Sequence, residues 1–431
     1  GAFVAITEGY KNGRLLMDQA LALNADMQRE HKKLLERIAD HYAKAGKYEI
    51  AERVYRDLIQ ENPEDGWIRV RLAELLLKQS KAEAAKQAFI DILNFAPESP
   101  YSAQKLSELL RQAGEVEKEL AVWNSLCDRH PDAYVPCAYY AEALEATGFY
   151  RESLRQYRRL HEKHSNAHEA ALRQGALIAR LEDYHAGRSL MDAALLADAS
   201  LQPLFIALLA KLAAHFRDQN DFATAEVLYR QLTVYNPKDV LYLTYLAETL
   251  ATQEKYEQAR DVYARVLQRT PENAQTKMRY GILTAMLGDY KQGRAAMDTA
   301  LTASPELSDE MAAGLVRIAA AASKAGDYTH AEALYREAIS LAPEDFWHQV
   351  HFGEFLMKQN RLAEAKTIFI DVLMARPESP QTAALLDEVY ARQEDAEGRR
   401  STWKKIVEQH PEAQVPKQHL EMALKGLSNT Q

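Results

Sequence analysis

The sequence predicts an all-α protein built from stacked helical hairpins, and three observations support this prediction. Prolines recur at a constant interval, from Pro63 to Pro97 and again to Pro131. Small and aromatic residues recur at fixed distances before those prolines. Between the prolines, apolar residues follow the i, i+3, i+4, i+7 spacing of amphipathic helices. A fixed period of about 34 residues is typical of a repeat architecture.

The proline series marks the end of each repeat, because proline cannot continue a helix and restricts the residue before it. The series comprises Pro63, Pro97, Pro131, Pro237, Pro271, Pro343, Pro377 and Pro411. The steps into Pro63, Pro237 and Pro343, which start from Ala25, Ala199 and Pro305, are longer than the others by four residues each. Three repeats are therefore expanded by the same amount.

Within each repeat, small residues and one large ring hold the same positions relative to the closing proline. The rings stand eight residues before it, at Tyr55, Phe89, Trp123, Tyr229, Tyr263, Tyr335, Phe369 and Trp403. One set of small residues stands twelve positions before the proline, at Ala51, Ala85, Ala225, Ala259, Ala331 and Ala365. A second set stands twenty-four positions before it, at Ala39, Ala73, Ala213, Ala247, Ala319 and Gly353. We predict that the small residues let two helices approach and that the ring fills the remaining space.

This pattern resembles the tetratricopeptide repeat family, whose helix–turn–helix unit of about 34 residues carries such residues at fixed phase. The resemblance implies a right-handed α-α superhelix in which the first helix of each hairpin lines a concave inner face. We interpret residues 1–431 as one continuous array, with a partial repeat at 1–27, about eleven full repeats over 28–413, and a terminal helix at 414–431. We also expect a bacterial source and a natural protein that extends further upstream.

A longer repeat is superimposed on the short one. The segments YKNGRLLMDQAL, YHAGRSLMDAAL and YKQGRAAMDTAL begin at Tyr10, Tyr184 and Tyr290. The blocks that begin at Tyr10 and Tyr290 align without gaps, and this alignment matches PESP at 97 with PESP at 377. The sequence therefore contains duplicated blocks of several hairpins.

Composition and charge exclude several classes of protein. With 47% hydrophobic and 27% charged residues, and only 17 Gly and 14 Pro, the chain is neither disordered nor collagen-like. The 53 basic and 62 acidic residues give a net charge of −9, which argues against nucleic-acid binding. No run approaches about 18 consecutive apolar residues, so we expect no membrane insertion and a soluble protein of the cytoplasm or periplasm.

No catalytic motif is present, so we predict that these residues form no enzyme and hold no cofactor or metal. The pairs His161/His164 and His348/His351 have helical i, i+3 spacing. We interpret the first pair as a solvated helix end, and the second pair has no evident third ligand for a metal. Cys127 and Cys137 occupy apolar positions in adjacent repeats. We expect buried free thiols there, since a disulfide would require an oxidising compartment and closely spaced Cα atoms.

The candidate binding positions lie on the first helices. Acids recur at Asp40, Glu74, Glu108, Glu142, Glu248, Glu354 and Glu388, and bases recur three positions earlier in the repeat at Arg37, Arg71, Lys105, Arg173, Lys211, Arg279 and Arg317. Where both occur in one helix, as in Arg71–Glu74 and Lys105–Glu108, they are spaced to pair. The ladder is therefore either a self-neutralised solvated face or a groove that binds an extended polar ligand.

Aromatic and apolar residues extend this candidate face. Trp67, Tyr101 and Trp347 begin first helices and would provide platforms for a peptide or sugar, whereas Trp123 and Trp403 are assigned to the core. Met278, Ile282 and Met286 replace charged groups and predict a smoother inner lining, or else packing between repeats. The complete predicted partner-binding set is Trp67, Arg71, Glu74, Tyr101, Glu108, Glu142, Glu248, Met278, Trp347, Glu354 and Glu388.

Three functions agree with these features. The leading hypothesis is a non-catalytic scaffold that binds a protein or peptide segment along the concave groove. The second is a periplasmic or envelope scaffold for polysaccharide synthesis or export, in which the acids meet a cationic sugar chain. The third is the substrate-selecting repeat region of a larger enzyme. The fold alone does not decide among them.

Overall fold

The computed structural model describes residues 1–425 of the chain. Within that range it contains 25 α-helices, three short 3-10 turns and no β-strand, which confirms the all-α prediction. Consecutive helices from α3 to α24 pair into eleven hairpins, which is the predicted number of full repeats. Residues 426–431, the end of the predicted terminal helix, lie outside the described residues.

The chain divides into two compact units, and unit 1 comprises Gly1–Leu212. Its helices are α1 (Ala2–Thr7), α2 (Tyr10–Leu23), α3 (Gln28–Lys44), α4 (Tyr48–Glu61), α5 (Gly66–Lys78), α6 (Ala82–Phe95), α7 (Pro100–Gln112), α8 (Val116–Arg129), α9 (Tyr134–Ala146), α10 (Tyr150–Lys163), α11 (His168–Leu181) and α12 (Tyr184–Ala197). The boundary of the unit falls within α13 (Gln202–Asp218).

Unit 2 begins at Ala213. Its remaining helices are α14 (Phe222–Tyr235), α15 (Val240–Thr252), α16 (Tyr256–Leu267), α17 (Ala274–Met286), α18 (Tyr290–Ala303), α19 (Ser308–Lys324), α20 (Tyr328–Leu341), α21 (Phe346–Lys358), α22 (Leu362–Ala375), α23 (Pro380–Arg392), α24 (Ala396–Gln409) and α25 (Gln414–Lys425). Each odd-numbered helix from α3 to α23 is the first helix of a hairpin.

The four extra residues of the long repeats lengthen the first helix by about one turn. Helices α3, α13 and α19 have 17 residues, whereas the first helices α5 and α7 have 13. A 3-10 turn precedes each long helix, at Ala25–Met27, Ala199–Leu201 and Pro305–Leu307. The irregular step in the sequence is therefore a longer helix rather than a longer loop.

The periodic rings and alanines form the core of each unit, as predicted. In unit 1, Phe89 and Trp123 are completely buried, and Trp403 and Phe369 are completely buried in unit 2. The alanines at the helix crossings, including Ala51 and those at equivalent positions, have no exposed surface. Within each unit, this core lies between the two helices of a hairpin and continues into the next hairpin, so each hairpin completes the packing of its neighbour.

The longer sequence motif contains a glycine where two helices cross at backbone distance. A Cβ atom on Gly187 in α12 would lie 2.2 Å from the backbone nitrogen of Ala179 and 2.4 Å from the carbonyl oxygen of Gly175 in α11. Gly293 in α18 makes the same approach to Gly281 of α17. The glycine of this motif is therefore required by packing.

The PESP motif supplies a carboxylate that caps a helix of the following repeat. Glu98, between α6 and α7, accepts hydrogen bonds from the backbone nitrogens of Tyr134 (2.5 Å) and Val135 (3.2 Å) at the start of α9. Glu378 caps α25 in the same way, through Gln414 and Val415. These bonds satisfy amides that a helix leaves unpaired at its N-terminus.

In ten of the eleven hairpins, all except α11–α12, the turn between the two helices contains a residue with positive φ. Glycine holds this position in some repeats, and other residues hold it in the rest, namely Ser80, Asn220, Glu254, Asn360 and Glu394, with φ between 53° and 62°. A left-handed backbone is unfavourable for residues with a Cβ, and asparagine tolerates it better than glutamate does.

We expect Glu254→Gly to stabilise unit 2 by about 1 kcal/mol, because glycine adopts the φ of 58° at that position without steric cost. Asn220→Gly, at the same turn position with φ of 62°, is the matched control and is expected to give a smaller gain. Urea unfolding followed by circular dichroism measures both changes. An unchanged or lower midpoint for Glu254→Gly would contradict the prediction.

The two cysteines differ from the sequence prediction. Cys127 in α8 and Cys137 in α9 form a disulfide, with Cα atoms 4.7 Å apart. The stacking of consecutive hairpins places the last turn of α8 beside the first turn of α9, within the range that a disulfide spans. Both side chains are buried as expected, but the prediction of free thiols is wrong.

Among residues 1–425, one segment, Ala199–Asp218, has the length and apolar composition of a helix that could cross a membrane, and 28% of an 18-residue stretch within it is buried. Core helices meet the same criteria, so one such segment is weak evidence for a span. In α13, Phe205, Leu208 and Leu209 are buried as core residues. The count of consecutive apolar residues in the sequence did not reveal this segment.

Candidate functional site

The predicted binding positions lie on the surface formed by the first helices of the hairpins, which we call the first-helix face. In unit 1 the most exposed ring on this face is Trp67, which is 62% exposed near the start of α5. Asp65 fixes this end of α5, since its carboxylate accepts hydrogen bonds from the backbone nitrogens of Trp67 (2.9 Å) and Ile68 (3.3 Å). Lys32 contacts the same carboxylate.

Trp67 belongs to a group of four side chains, Trp67, Arg71, Glu74 and Tyr101, which we call the Trp67 patch. The Arg71 guanidinium lies 5.6 Å from the centre of the Trp67 ring, within cation–π range. The Tyr101 hydroxyl in α7 donates a 2.6 Å hydrogen bond to Glu74 Oε1 in α5. This bond raises the pKa of Tyr101 to about 12, so the phenol remains a donor at neutral pH. The patch thus spans two consecutive repeats.

Three of the seven ladder acids, Asp40, Glu142 and Glu248, pair with a base of the next first helix. Arg71 lies 3.8 Å from Asp40 of the preceding first helix, and Arg173 lies 3.9 Å from Glu142 in the same relation. Arg279 pairs with Glu248 of the first helix before its own. The predicted Arg71–Glu74 pair is therefore wrong. The stacking of the hairpins places the base of one first helix next to the acid of the first helix in the preceding hairpin.

Only some acids pair within their own helix. Lys105 contacts Glu108 at 2.7 Å, as predicted, and holds the pKa of that carboxyl below its usual value. In unit 2, His351 Nδ1 lies 3.2 Å from Glu354 Oε2, and Arg392 contacts Glu388. The face is therefore largely neutralised by its own charges.

Unit 2 carries a second aromatic group at the equivalent position. Trp347 is 37% exposed at the start of α21, where Asp345 accepts a 3.0 Å hydrogen bond from its backbone nitrogen. Its ring centre lies 4.8 Å from that of Phe346 and 6.5 Å from that of His351. Neighbouring rings cover more of Trp347 than of Trp67.

Met278 is a correction to the predicted set. Its side chain is completely buried in the core of unit 2, and Ile282 is 3% exposed. These residues pack between helices, so Met278 cannot contact a partner on the first-helix face. At position 278, the replacement of a charged residue by methionine reflects packing in the core rather than an apolar binding surface.

Three segments match family models described as the tetratricopeptide repeat, at residues 42–109, 322–389 and 211–274. These family matches agree with the period of about 34 residues, with the recurring small and aromatic residues, and with the eleven hairpins of the structure. The chain is a tetratricopeptide repeat protein. A search of curated proteins finds no match.

Solved structures are similar to this tetratricopeptide repeat protein in fold. A tetratricopeptide repeat protein from Parabacteroides merdae is 19% identical, with a TM-score of 0.40 over 60% of this chain and 98% of its own. Yeast Tom70 is 13% identical, with a TM-score of 0.35 over 100% of this chain and 96% of its own. YrrB, described as having an unusual peptide-binding site, is 17% identical, with a TM-score of 0.32 over 42% of this chain and 92% of its own.

One group of titratable side chains in the tetratricopeptide array is not indicated by any sequence motif. The carboxylates of Asp18 and Glu61 lie beside the ring of His31, and their ligand atoms all lie within 4.8 Å of one another. These residues are on three helices and are far apart in the sequence, so no motif spacing reveals them. The predicted pairs behave differently: His161 contacts Gln174 at 2.8 Å, and His348 is buried near Asp345.

Proposed function

We propose that this tetratricopeptide repeat protein is a scaffold that binds an extended partner polypeptide on its first-helix face, with the Trp67 patch as the main contact in unit 1. Its repeats support the general role of a protein-interaction scaffold. The observation that carries the specific proposal is the 62% exposure of Trp67. The aromatic residues that stand eight positions before each closing proline are buried, whereas Trp67 faces solvent beside an arginine and a tyrosine.

The composition of the patch suits protein recognition. Tryptophan, tyrosine and arginine are the residue types most enriched among those that dominate binding energy at protein interfaces. The Trp67 ring offers a flat apolar surface to an aliphatic or aromatic side chain. Arg71 contacts that ring, and Asp65 fixes the backbone that carries it. A partner would gain this contact without a large change in the patch.

The charges around Trp67 specify the chemistry of the partner further. Arg71 faces Asp40, and Lys105 faces Glu108, so these pairs offer little net charge. Within residues 1–425, the structure gives Glu74 a hydrogen bond from Tyr101 and no cationic partner. We infer that the bound segment carries a lysine or arginine next to its apolar anchor, positioned to meet Glu74.

We expect Trp67→Ala to weaken the binding of peptides selected from a random library by at least about tenfold, or about 1.4 kcal/mol. Phe149→Ala is the matched control, because Phe149 is another large ring and is 51% exposed at the turn before α10. Peptides would be selected on the intact chain, and affinities measured by calorimetry. Equal affinities for wild type and Trp67→Ala would refute the proposed site.

We expect Glu74→Lys to discriminate against peptides that carry a basic residue, because it places like charges opposite each other. Glu152→Lys is the control for charge, since Glu152 lies on the second helix α10 and is also surface-exposed. The affinity of Glu74→Lys should fall for basic peptides and remain similar for variants of those peptides with the basic residue replaced by alanine. A uniform effect on both peptide sets would contradict the inferred role of Glu74.

The other two hypotheses fare differently. A polysaccharide partner has no support from the comparisons. The tetratricopeptide fold is in general a non-catalytic scaffold, and a role as the substrate-selecting region of a larger enzyme stays a prediction. The proposed patch would serve either a free scaffold or such a region, because it recognises a polypeptide in both cases.

A further inference from the structure

The N-terminal part of unit 1 holds the cluster of Asp18, His31 and Glu61, which lies outside the first-helix patch. Asp18 is on α2, His31 on α3, and Glu61 is the last residue of α4. Three helices therefore contribute one side chain each. A ligand at this point would join the N-terminal helix pair to the first full repeat.

The spacing of the three side chains matches the edges of a metal coordination tetrahedron. His31 Nε2 lies 3.4 Å from Glu61 Oε2 and 3.6 Å from Asp18 Oδ1. A tetrahedral zinc ion with bonds of about 2.0–2.1 Å has ligand-to-ligand distances of about 3.3 Å. Two of the three edges are thus near their liganded length.

His31 is oriented as a metal ligand. Its side chain is 4% exposed, and Nε2 has no hydrogen-bond partner although it points at two carboxylates. The backbone of Met17 lies within hydrogen-bonding reach of the ring. Ligating histidines commonly hold the second ring nitrogen by such a hydrogen bond.

The other two copies of the block provide an internal comparison. Both retain the aspartate of Asp18, at Asp192 and Asp298, but replace His31 by Phe205 and Met311. Phe205 and Met311 are buried, at 0% and 1% exposure. The repeat therefore needs only an apolar side chain here. An unpaired buried polar atom costs about 1–3 kcal/mol, so a histidine at a core position indicates a ligand rather than packing.

Arg14 is the cation that already faces this cluster. Its Nε lies 2.7 Å from Asp18 Oδ1, and its Nη2 contacts Glu61 Oε1. Glu61 thus uses one oxygen for Arg14 and turns the other toward His31. Two carboxylates and one guanidinium leave a net charge of −1 beside the His31 ring, which favours a further divalent cation.

We propose that Asp18, His31 and Glu61 form a binding site for a divalent transition metal of the Zn²⁺ class, with a water molecule as the fourth ligand. One imidazole nitrogen and two carboxylate oxygens are a ligand set that Zn²⁺ accepts in tetrahedral geometry. The ion clamps α2, α3 and α4 together. This site is separate from the proposed peptide-binding patch.

The test is a Zn²⁺ titration of the tag-free chain after treatment with a chelator, with a chromophoric chelator as competitor. Wild type should bind one equivalent with a dissociation constant below about 1 µM. His31→Met, which introduces the residue found at position 311, should weaken that binding by about 100-fold or more. His351→Met is the matched control, because His351 lies 3.2 Å from Glu354 on the surface but is not part of such a cluster.

Two further measurements keep the result interpretable. Glu61→Leu introduces the residue found at position 341 and should also remove the tight site. Far-UV circular dichroism would establish that both variants keep the helical fold. Co²⁺ in place of Zn²⁺ should give the intense visible absorption of tetrahedral coordination in wild type and lose it in His31→Met. Equal Zn²⁺ affinity in wild type and His31→Met, or no equivalent tighter than the competitor detects, would overturn the proposal.

Discussion

Gly187→Ala will destabilise unit 1 by about 2 kcal/mol or more, although alanine is the better helix former. Propensity alone favours the change by about 1 kcal/mol. The added Cβ would lie 2.2 Å from the Ala179 nitrogen and 2.4 Å from the Gly175 oxygen, both backbone atoms that cannot rotate away. Overpacking of this kind costs about 3 kcal/mol when helices must separate, so the steric effect exceeds the propensity effect.

The matched control for this substitution is Gly66→Ala. Gly66 is the first residue of α5, and a Cβ there would have no atom within 4 Å. We expect that variant to be neutral or slightly stabilised. Urea unfolding and hydrogen exchange of α11 and α12 report the loss in Gly187→Ala, and Gly293→Ala should reproduce it in unit 2. A Gly187→Ala protein as stable as wild type would show that the two helices do not cross as closely as described.

The second large effect concerns Asp387 in α23, which joins three helices at the end of unit 2. Its carboxylate accepts hydrogen bonds of 2.7 Å from Arg399 Nε and from the indole nitrogen of Trp403, and lies 2.7 Å from His419 Nδ1. We expect Asp387→Ala to lower stability by about 3 kcal/mol, because it leaves these buried or half-buried donors without an acceptor.

The contribution of Asp387 should depend on pH in the acid range. Burial raises the pKa of Asp387, but the hydrogen bonds from Arg399, His419 and Trp403 outweigh it and leave the pKa lowered. A lowered folded-state pKa means that the stabilisation is complete above the ordinary aspartate pKa of about 3.9 and is lost as pH falls through the folded value. The difference between wild type and Asp387→Ala should therefore shrink below about pH 4.

Unit 1 supplies the control for this prediction. Ser107 occupies the position equivalent to Asp387 in the earlier copy of the duplicated block, and it donates a 2.7 Å hydrogen bond to Glu119. Ser107→Ala removes one neutral donor and should cost about 1 kcal/mol. Thermal unfolding of both variants at pH 7 and pH 3 measures the two effects. A constant difference between wild type and Asp387→Ala across that range would exclude the carboxylate as its source.

The fold was predictable because the repeat imposes the same packing many times. Proline, alanine and ring positions each recur in phase, so a chance match at one position does not affect the pattern. Counting residues also revealed the three four-residue expansions, but the sequence did not indicate that they would lengthen the helices α3, α13 and α19 rather than a loop. Local periodicity was sufficient because each hairpin packs mainly against its neighbours.

The side-chain partners on the first-helix face were less predictable, because they depend on how one hairpin is placed on the next. The ladder predicted pairing within helices, and the structure instead has Arg71 facing Asp40 across a repeat boundary. The same stacking joined Cys127 to Cys137 and buried Met278. His31 was detectable in principle, since the block alignment places it opposite Phe205 and Met311.

The carboxylate of Glu98 has a consequence for how such an array can be inherited. Its two bonds reach Tyr134 and Val135, so donor and acceptor lie on opposite sides of an entire intervening hairpin. Copying a gene segment that encoded only one hairpin would separate the glutamate from the helix that it caps. The backbone N–H groups at the start of the new copy of α9 would then have no carboxylate to bond. The second such bond set, from Glu378 to Gln414 and Val415, lies at the same offset within the duplicated block. Duplication of several hairpins at once preserves this cap, and the internal history of the chain shows duplication at that scale.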